Sequence, residues 1–246
     1  MKTTLRRLAT ALALAAGLGV AQAGTTVLDF DTGLDDSLAL FPPLLVHNDF
    51  LIQGDYFLGT VSTKTGAQDG DFVGALVDGS DVASTCASVV CPTNNSTQFL
   101  AMLDDGLPWL GRLDGEAFQL KSFDASFIAA AGVTVPNVAM LLRVYGFYAN
   151  GSLKYEDVLV GGPTNGQLGF ASFALSDAFA NEWFAEIDFY GYACNAQGSC
   201  SRSNNLAQFA LDNITLASRV PEPASLALAV IALVGAGAAR RRSRSV

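Results

Sequence analysis

Histidine is almost missing from this 246-residue chain, which has only His47. A Ser-His-Asp triad would have to use that residue, and no Gly-x-Ser-x-Gly elbow is present to supply the serine. A zinc hydrolase needs more nitrogen or thiolate ligands than the chain offers. Phosphate loops and dinucleotide fingerprints are also absent, and His47 reads as a loop residue with no special task. Basic residues are scarce as well: 14 Lys and Arg stand against 23 Asp and Glu. Half of the basic residues lie in the two terminal segments. Between Gly24 and Val220 there are 7 basic and 22 acidic residues, a formal charge of −15. Such a surface repels phosphate backbones and anionic lipid, so nucleic acid is excluded as a partner and cations are favoured.

The uncharged apolar runs are confined to the ends. Lys2, Arg6 and Arg7 precede the apolar stretch Leu8 to Val20, and Ala21-Gln22-Ala23 follows as a small-x-small cleavage site. This is the pattern of a secretory signal peptide, residues 1–23, with the mature chain starting at Gly24. At the other end Val220-Pro221-Glu222-Pro223 leads into Ala224 to Ala239, which has no ionisable residue, and then Arg240, Arg241, Arg242 and Arg244. The two prolines stop any helix arriving from upstream. Sixteen residues at about 1.5 Å each give about 24 Å of helix, short of a hydrocarbon core of about 30 Å. The arginines hold the cytoplasmic side. The segment 220–246 thus predicts a weak C-terminal transmembrane anchor.

That order of parts, Pro221-Glu222-Pro223, apolar run and terminal arginines, resembles the PEP-CTERM sorting signal of Gram-negative bacteria. The resemblance implies recognition by an exosortase, transient residence in the inner membrane, and delivery to the cell surface or extracellular matrix. A plain single-pass anchor is the alternative. Either way the tail gives an address and no activity.

The exported part, residues 24–219, is long enough for one domain with a sizeable core. All four cysteines fall in it. In an oxidising compartment an even count reads as disulfides. Of three possible connectivities the local one, Cys86 with Cys91 and Cys194 with Cys200, is favoured because each pair brackets a short polar loop. Zinc is the rival, but the second pair does not keep its two-to-four-residue spacing.

Helix periodicity is nearly absent from this part, whereas strand patterns recur. Candidates are Thr25–Asp31, Phe50–Leu58, Asp71–Val77, Gln98–Leu103, Ala117–Phe123, Val138–Tyr148, Ser152–Val160, Gln167–Leu175, Trp183–Gly191 and Gln208–Leu216. Gly, Asn and Asp clusters separate them, which predicts an all-β antiparallel sandwich or barrel. Asn150-Gly151 predicts a hairpin with a type I′ turn. One helical turn is expected over Asp124 to Ala131, with Asp124 as its cap and Gly132 as its end. Phe118 to Phe123 with Asp124, the hairpin, and the closing Phe209-Ala210-Leu211-Asp212-Asn213-Ile214 resemble the jelly-roll sandwich domains that precede PEP-CTERM tails. Carbohydrate-binding modules are among the related sandwiches, so the resemblance implies a jelly-roll-like fold without fixing a function.

Three kinds of site follow. Trp109, in Asp104-Asp105-Gly106-Leu107-Pro108-Trp109, reads as a loop aromatic presented to a sugar, with Tyr190 and Tyr192 forming a second edge; packing is the competing reading. Asp212 alternates onto the face of Ile214 and Leu216, where its carboxylate needs a partner. In related jelly rolls a Ca²⁺ ion joins the first and last strands, which would recruit Asp31 or Asp29; hydrogen bonds to loop amides account for Asp212 equally well. A glycosidase needs only two carboxylates, and the 22 acids supply too many pairs to choose from. The expectation is an exported surface or matrix protein that acts by binding or assembly, not catalysis. Its partners would be exosortase and, through weak affinity, exopolysaccharide.

Overall fold

The computed structural model describes residues 24–201 and 207–219. The expected signal peptide, the PEP tripeptide, the apolar run and the arginine cluster lie outside the described residues. Among the described residues no helix is long and apolar enough to cross a membrane. Thr25–Ser218 form one compact unit.

Its strands, in chain order, are β1 (Gly24–Leu28), β2 (Leu34–Asp35), β3 (Leu44–Val46), β4 (Asp49–Gln53), β5 (Tyr56–Ser62), β6 (Phe72–Asp78), β7 (Val89–Val90) and β8 (Gln98–Met102). They continue as β9 (Gly106–Arg112), β10 (Phe118–Ala130), β11 (Val138–Phe147), β12 (Leu153–Gly161), β13 (Ala171–Ala174), β14 (Glu186–Cys194), β15 (Cys200–Ser201) and β16 (Gln208–Ser218). Helix is limited to single turns such as Val82–Thr85 and Asp177–Ala180. The first sheet runs β13-β10-β16-β8-β6-β3, with β1 beside β16 and β7 beside β10. The second runs β12-β11-β14-β9-β5-β4-β2, with β15 beside β14. The strand pairs whose register is described are antiparallel, and the fold is all-β and sandwich-like.

Period-two alternation explains which residues meet between the sheets. Leu142 and Val144 of β11, Ile187 and Phe189 of β14, and Phe209, Leu211, Ile214 and Leu216 of β16 enter one core cluster with Phe118, Phe123 and Phe184. A buried phenylalanine of this kind contributes about 1.5–3 kcal/mol by leaving water. Gly146 is needed beside this core, because a Cβ there would fall 2.4 Å from the Phe184 ring.

Several expectations change. Asp124 to Ala131 is not a helical turn: β10 continues to Ala130, with Phe123, Ala125, Phe127 and Ala129 in the main core and Ile128 in a second cluster. Phe50–Leu58 is two strands joined by a tight turn at Gly54, whose φ is +61°. The hairpin at Asn150-Gly151 is present, but only Gly151 has a positive φ. Gly151 N–H donates to the Tyr148 carbonyl, and Tyr148 N–H to that of Ser152. This is a three-residue loop with a left-handed glycine instead of a type I′ turn.

The outer face of the first sheet is covered. Ala75, Val77, Phe99, Ala101, Ile128 and Ala210 form a second cluster beneath Val82, Cys86, Val89 and Phe170. The chain from Gly79 to Thr97 provides most of that cover. Cys86 and Cys91 close it by a disulfide, with Cα atoms 6.1 Å apart. The second disulfide, Cys194–Cys200, ties β14 to β15. Both pairings are local.

Candidate functional site: the open face of the second sheet

Ile187 and Phe189 point into the core, so Glu186, Asp188, Tyr190 and Tyr192 point the other way. The register carries this outer face across the sheet. Asp188 is opposite Tyr145 of β11 on one side and Trp109 of β9 on the other. Tyr145 is opposite Tyr155 of β12, Trp109 is opposite Gly59 of β5, and Gly59 is opposite Phe50 of β4. One row across six strands therefore reads Tyr155, Tyr145, Asp188, Trp109, Gly59, Phe50.

Glycine is required in that row. A Cβ on Gly59 would lie 2.3 Å from Trp109 Nε1, so the indole crosses the neighbouring strand only because no side chain stands there. One rung away the Phe57 ring covers Gly111 in the same manner. Trp109 meets Phe57 at 5.0 Å and Phe50 at 5.8 Å between centroids, both edge to face. Tyr145 meets Tyr190 at 5.4 Å in the same geometry. The rings hold one another in place yet keep surface: Trp109, Tyr145 and Tyr190 are part-exposed, and Tyr155 is 52 % exposed. Trp109 is thus a strand residue, not a loop residue. The turn before it is made by Asp104 and Asp105, both at positive φ, and leads from the first sheet into the second.

Charges are set into this aromatic face. Arg143, opposite Tyr190, donates to Asp157 from Nε and Nη2 at 2.6 and 2.7 Å. Its Cζ lies 4.2 Å from the Tyr155 ring centroid, a cation–π contact. Hydrogen bonds to Asp157 and Tyr145 push its pKa further up, so the charge is permanent. Glu186 and Asp188 lie within hydrogen-bond reach of each other, a contact that forms only when one carries a proton. Asp188 is 8 % exposed, and its Oδ1 has no hydrogen-bond partner among the described residues. Burial first, and then the Glu186 charge, push the Asp188 pKa up to about 7. Burial also raises that of Glu186.

Asp212 lies on the other sheet. Four residues of β16, Asp212 to Thr215, face the three-residue span Ser122–Asp124 of β10, and Asn213 takes φ +49°. This bulge breaks the alternation. Phe209 and Leu211 before it and Ile214 and Leu216 after it are the core residues, while Asp212 faces the covering loop with Ala210. Asp212 is 1 % exposed and accepts from Asn95 Nδ2 at 2.7 Å, the Asn213 N–H at 2.7 Å and Asn213 Nδ2 at 3.3 Å. Burial pushes its pKa up to about 6; the amide hydrogen bonds oppose this, and the charges of Asp31 and Asp124 add to it. Asp31 accepts from the Gln98 N–H, whereas Asp29 is occupied by Gln53 and the turn after β1. The oxygen donors suit Ca²⁺ in kind. Among the described residues, however, no three His, Cys, Asp or Glu are grouped as a metal site, and amide donors already hold Asp212. His47 accepts at Nδ1 from the Ser62 N–H and serves the loop between β3 and β4.

Residues 219–242 match the family model of the PEP-CTERM protein-sorting motif. The tail is a PEP-CTERM sorting motif. Such a motif marks an exported, exosortase-processed surface protein, and the match leaves the β domain unassigned. No curated protein matches the chain. Among solved structures, a DUF4465 family protein from Bacteroides caccae is 14 % identical with a TM-score of 0.45, covering 78 % of this chain and 98 % of its own. One from Bacteroides ovatus is 10 % identical with a TM-score of 0.40, covering 80 % and 100 %. A CBM22 tandem domain from Paenibacillus barcinonensis is 12 % identical with a TM-score of 0.32, covering 84 % of this chain and 50 % of its own.

Trp109, Tyr190 and Tyr192, read from the sequence as separate edges, are brought onto one face. Sequence reasoning missed Glu186, Asp188, Arg143, Tyr145 and Tyr155. The alternation Glu-Ile-Asp-Phe-Tyr-Gly-Tyr in β14 was the available signal, since it places two acids and two tyrosines on one side.

Proposed function

We propose that this protein is an exported component of a polysaccharide-rich surface or matrix, and that its jelly-roll-like domain binds glycan through the open face of the second sheet. In this reading a signal peptide ends at Ala23, and the tail from Val220 serves sorting by exosortase. The observation that carries glycan binding is the row Tyr155, Tyr145, Asp188, Trp109, Phe50. Part-exposed rings offer flat apolar surface to the C–H faces of a sugar, and the carboxyl groups between them accept from its hydroxyls. An aromatic face of this kind, with no described segment over it, is a recognition surface by default. Catalysis is the weaker reading: glycosidase carboxyls stand about 5 Å or more apart around the scissile bond, whereas Glu186 and Asp188 touch. A glycan array probed with residues 24–219 tests the proposal. Trp109→Ala should weaken any sugar bound by about 2 kcal/mol, roughly 30-fold. Full retention of binding would remove the face from the function.

A structural Ca²⁺ ion at Asp212 and Asp31 is a second, separate proposal. It is supported by the acid Asp212 buried near Asp31 and Asp124, with β1 beside β16. A calcium titration of thermal stability tests it.

A further inference from the structure

Among the described residues, the open face is rich in acceptors and its cation, the Arg143 guanidinium, is already taken by Asp157. Glu186 and Asp188 neighbour each other with no described basic side chain bound to either, and Asp188 Oδ1 is left without a partner although 92 % of the residue is buried. A buried acid pair lacking a countercharge is unfavourable unless something outside the fold completes it. Tyr145 and Trp109 stand on either side of Asp188 in the register, and aromatic faces also attract cations.

We propose that this face is selective for glycans bearing free amines, with the ammonium of an amino sugar received by Glu186 and Asp188 between Tyr145 and Trp109. The proposal rests on the glycan-binding reading above and narrows it to one class of sugar. Glu186 is the more exposed of the two acids and meets the ammonium first; Asp188 beneath it supplies the second carboxyl. The ammonium supplies the countercharge that the two carboxyls lack. Uronate polymers are disfavoured by the same acids and by the −15 charge between Gly24 and Val220.

The test is calorimetric titration of the full chain in non-ionic detergent with three hexamers of like linkage: β-1,4-glucosamine, β-1,4-N-acetylglucosamine and cellohexaose. The expected result is at least tenfold tighter binding of the amine hexamer than of the other two. Asp188→Asn and Glu186→Gln should each reduce that preference to about twofold, weakening the amine hexamer far more than cellohexaose. Trp109→Ala should weaken all three. Asp81→Asn, on the cover of the opposite sheet, controls for diffuse attraction between an acidic protein and a polycation and should leave the preference intact. Equal binding of the three hexamers overturns the amine proposal and spares the glycan reading. A preference that survives both acid variants, or falls as far with Asp81→Asn, also overturns the amine site. Binding of none of the hexamers, with a blank glycan array, overturns both readings.

Discussion

The two outer faces of the sandwich solve the same problem in opposite ways. On the first sheet the outward residues are mostly small, Ala75, Ala101 and Ala210 with Val77 and Phe99, and a disulfide-closed loop lies over them. On the second sheet the outward residues are large and aromatic, and no described segment covers them. Small side chains let a loop approach and complete a second core. Large rings that brace one another keep their shape without a cover and leave a usable surface. A buried aromatic on the first face should therefore matter for stability, and a part-exposed one on the second face for binding.

The sharpest test sets Phe99 against Trp109. Phe99 is fully buried and meets Phe170 edge to face at 5.2 Å. Phe99→Ala should cost about 3–5 kcal/mol in urea unfolding. Trp109→Ala, whose ring is already part-solvated, should cost about 1 kcal/mol or less. Equal losses would erase the distinction between the faces.

Next in size is Asp188. Its folded pKa is raised, so the folded state keeps a proton that the unfolded chain has given up at the same pH. The favourable contribution is complete below about pH 4, the unfolded value, and is lost as pH rises through about 7. Asp188→Asn removes that loss. Unfolding at pH 8 should show the variant more stable by about 2–4 kcal/mol, with little difference at pH 4. A variant less stable than wild type at pH 8 would mean that Asp188 holds the fold together instead of being held against its preference.

On the covered face, saturating Ca²⁺ at one hundred times Kd should add about 2.7 kcal/mol if an ion binds at Asp212. Asp212→Asn keeps the shape and should lose that increment. Equal calcium stabilisation of both proteins would leave the amides as the sole partners of Asp212. The smallest expected effect is that of the cover's staple. Cys86→Ser with Cys91→Ser opens a loop of sequence separation 5 and should cost about 2 kcal/mol by the loop-entropy estimate. That loss should leave glycan binding on the opposite face unaltered.

Much of this was legible in the sequence where one face of a strand is dry and the other wet. β11, β12 and β14 alternate cleanly and were read close to their bounds. β10 misled because it is buried on both faces beyond Phe123, so no period shows, and Asp124 and Gly132 imitate helix ends. β9 reads as a loop because Gly106, Pro108 and Gly111 are poor strand formers, yet Gly111 is what lets the Phe57 ring lie across it. Simple alternation places Asp212 on the wrong face because one bulged residue, Asn213, inverts the parity of everything before it. The site itself depends on β14 lying beside β9, a pairing of residues far apart in sequence that no local pattern encodes.

The position of β16 has a mechanical consequence. The strand is flanked by β10 along most of its length and by β8 over Phe209–Leu211, and it ends at Ser218, one residue before the sorting motif begins. A pull on the chain beyond Ser218 therefore enters the domain through an interior strand. It acts along that strand, so the rungs to β10 and β8 resist together in shear instead of opening one after another as at a peeled edge. The described strands all end at or before Ser218, so a cut beyond that point removes none of them.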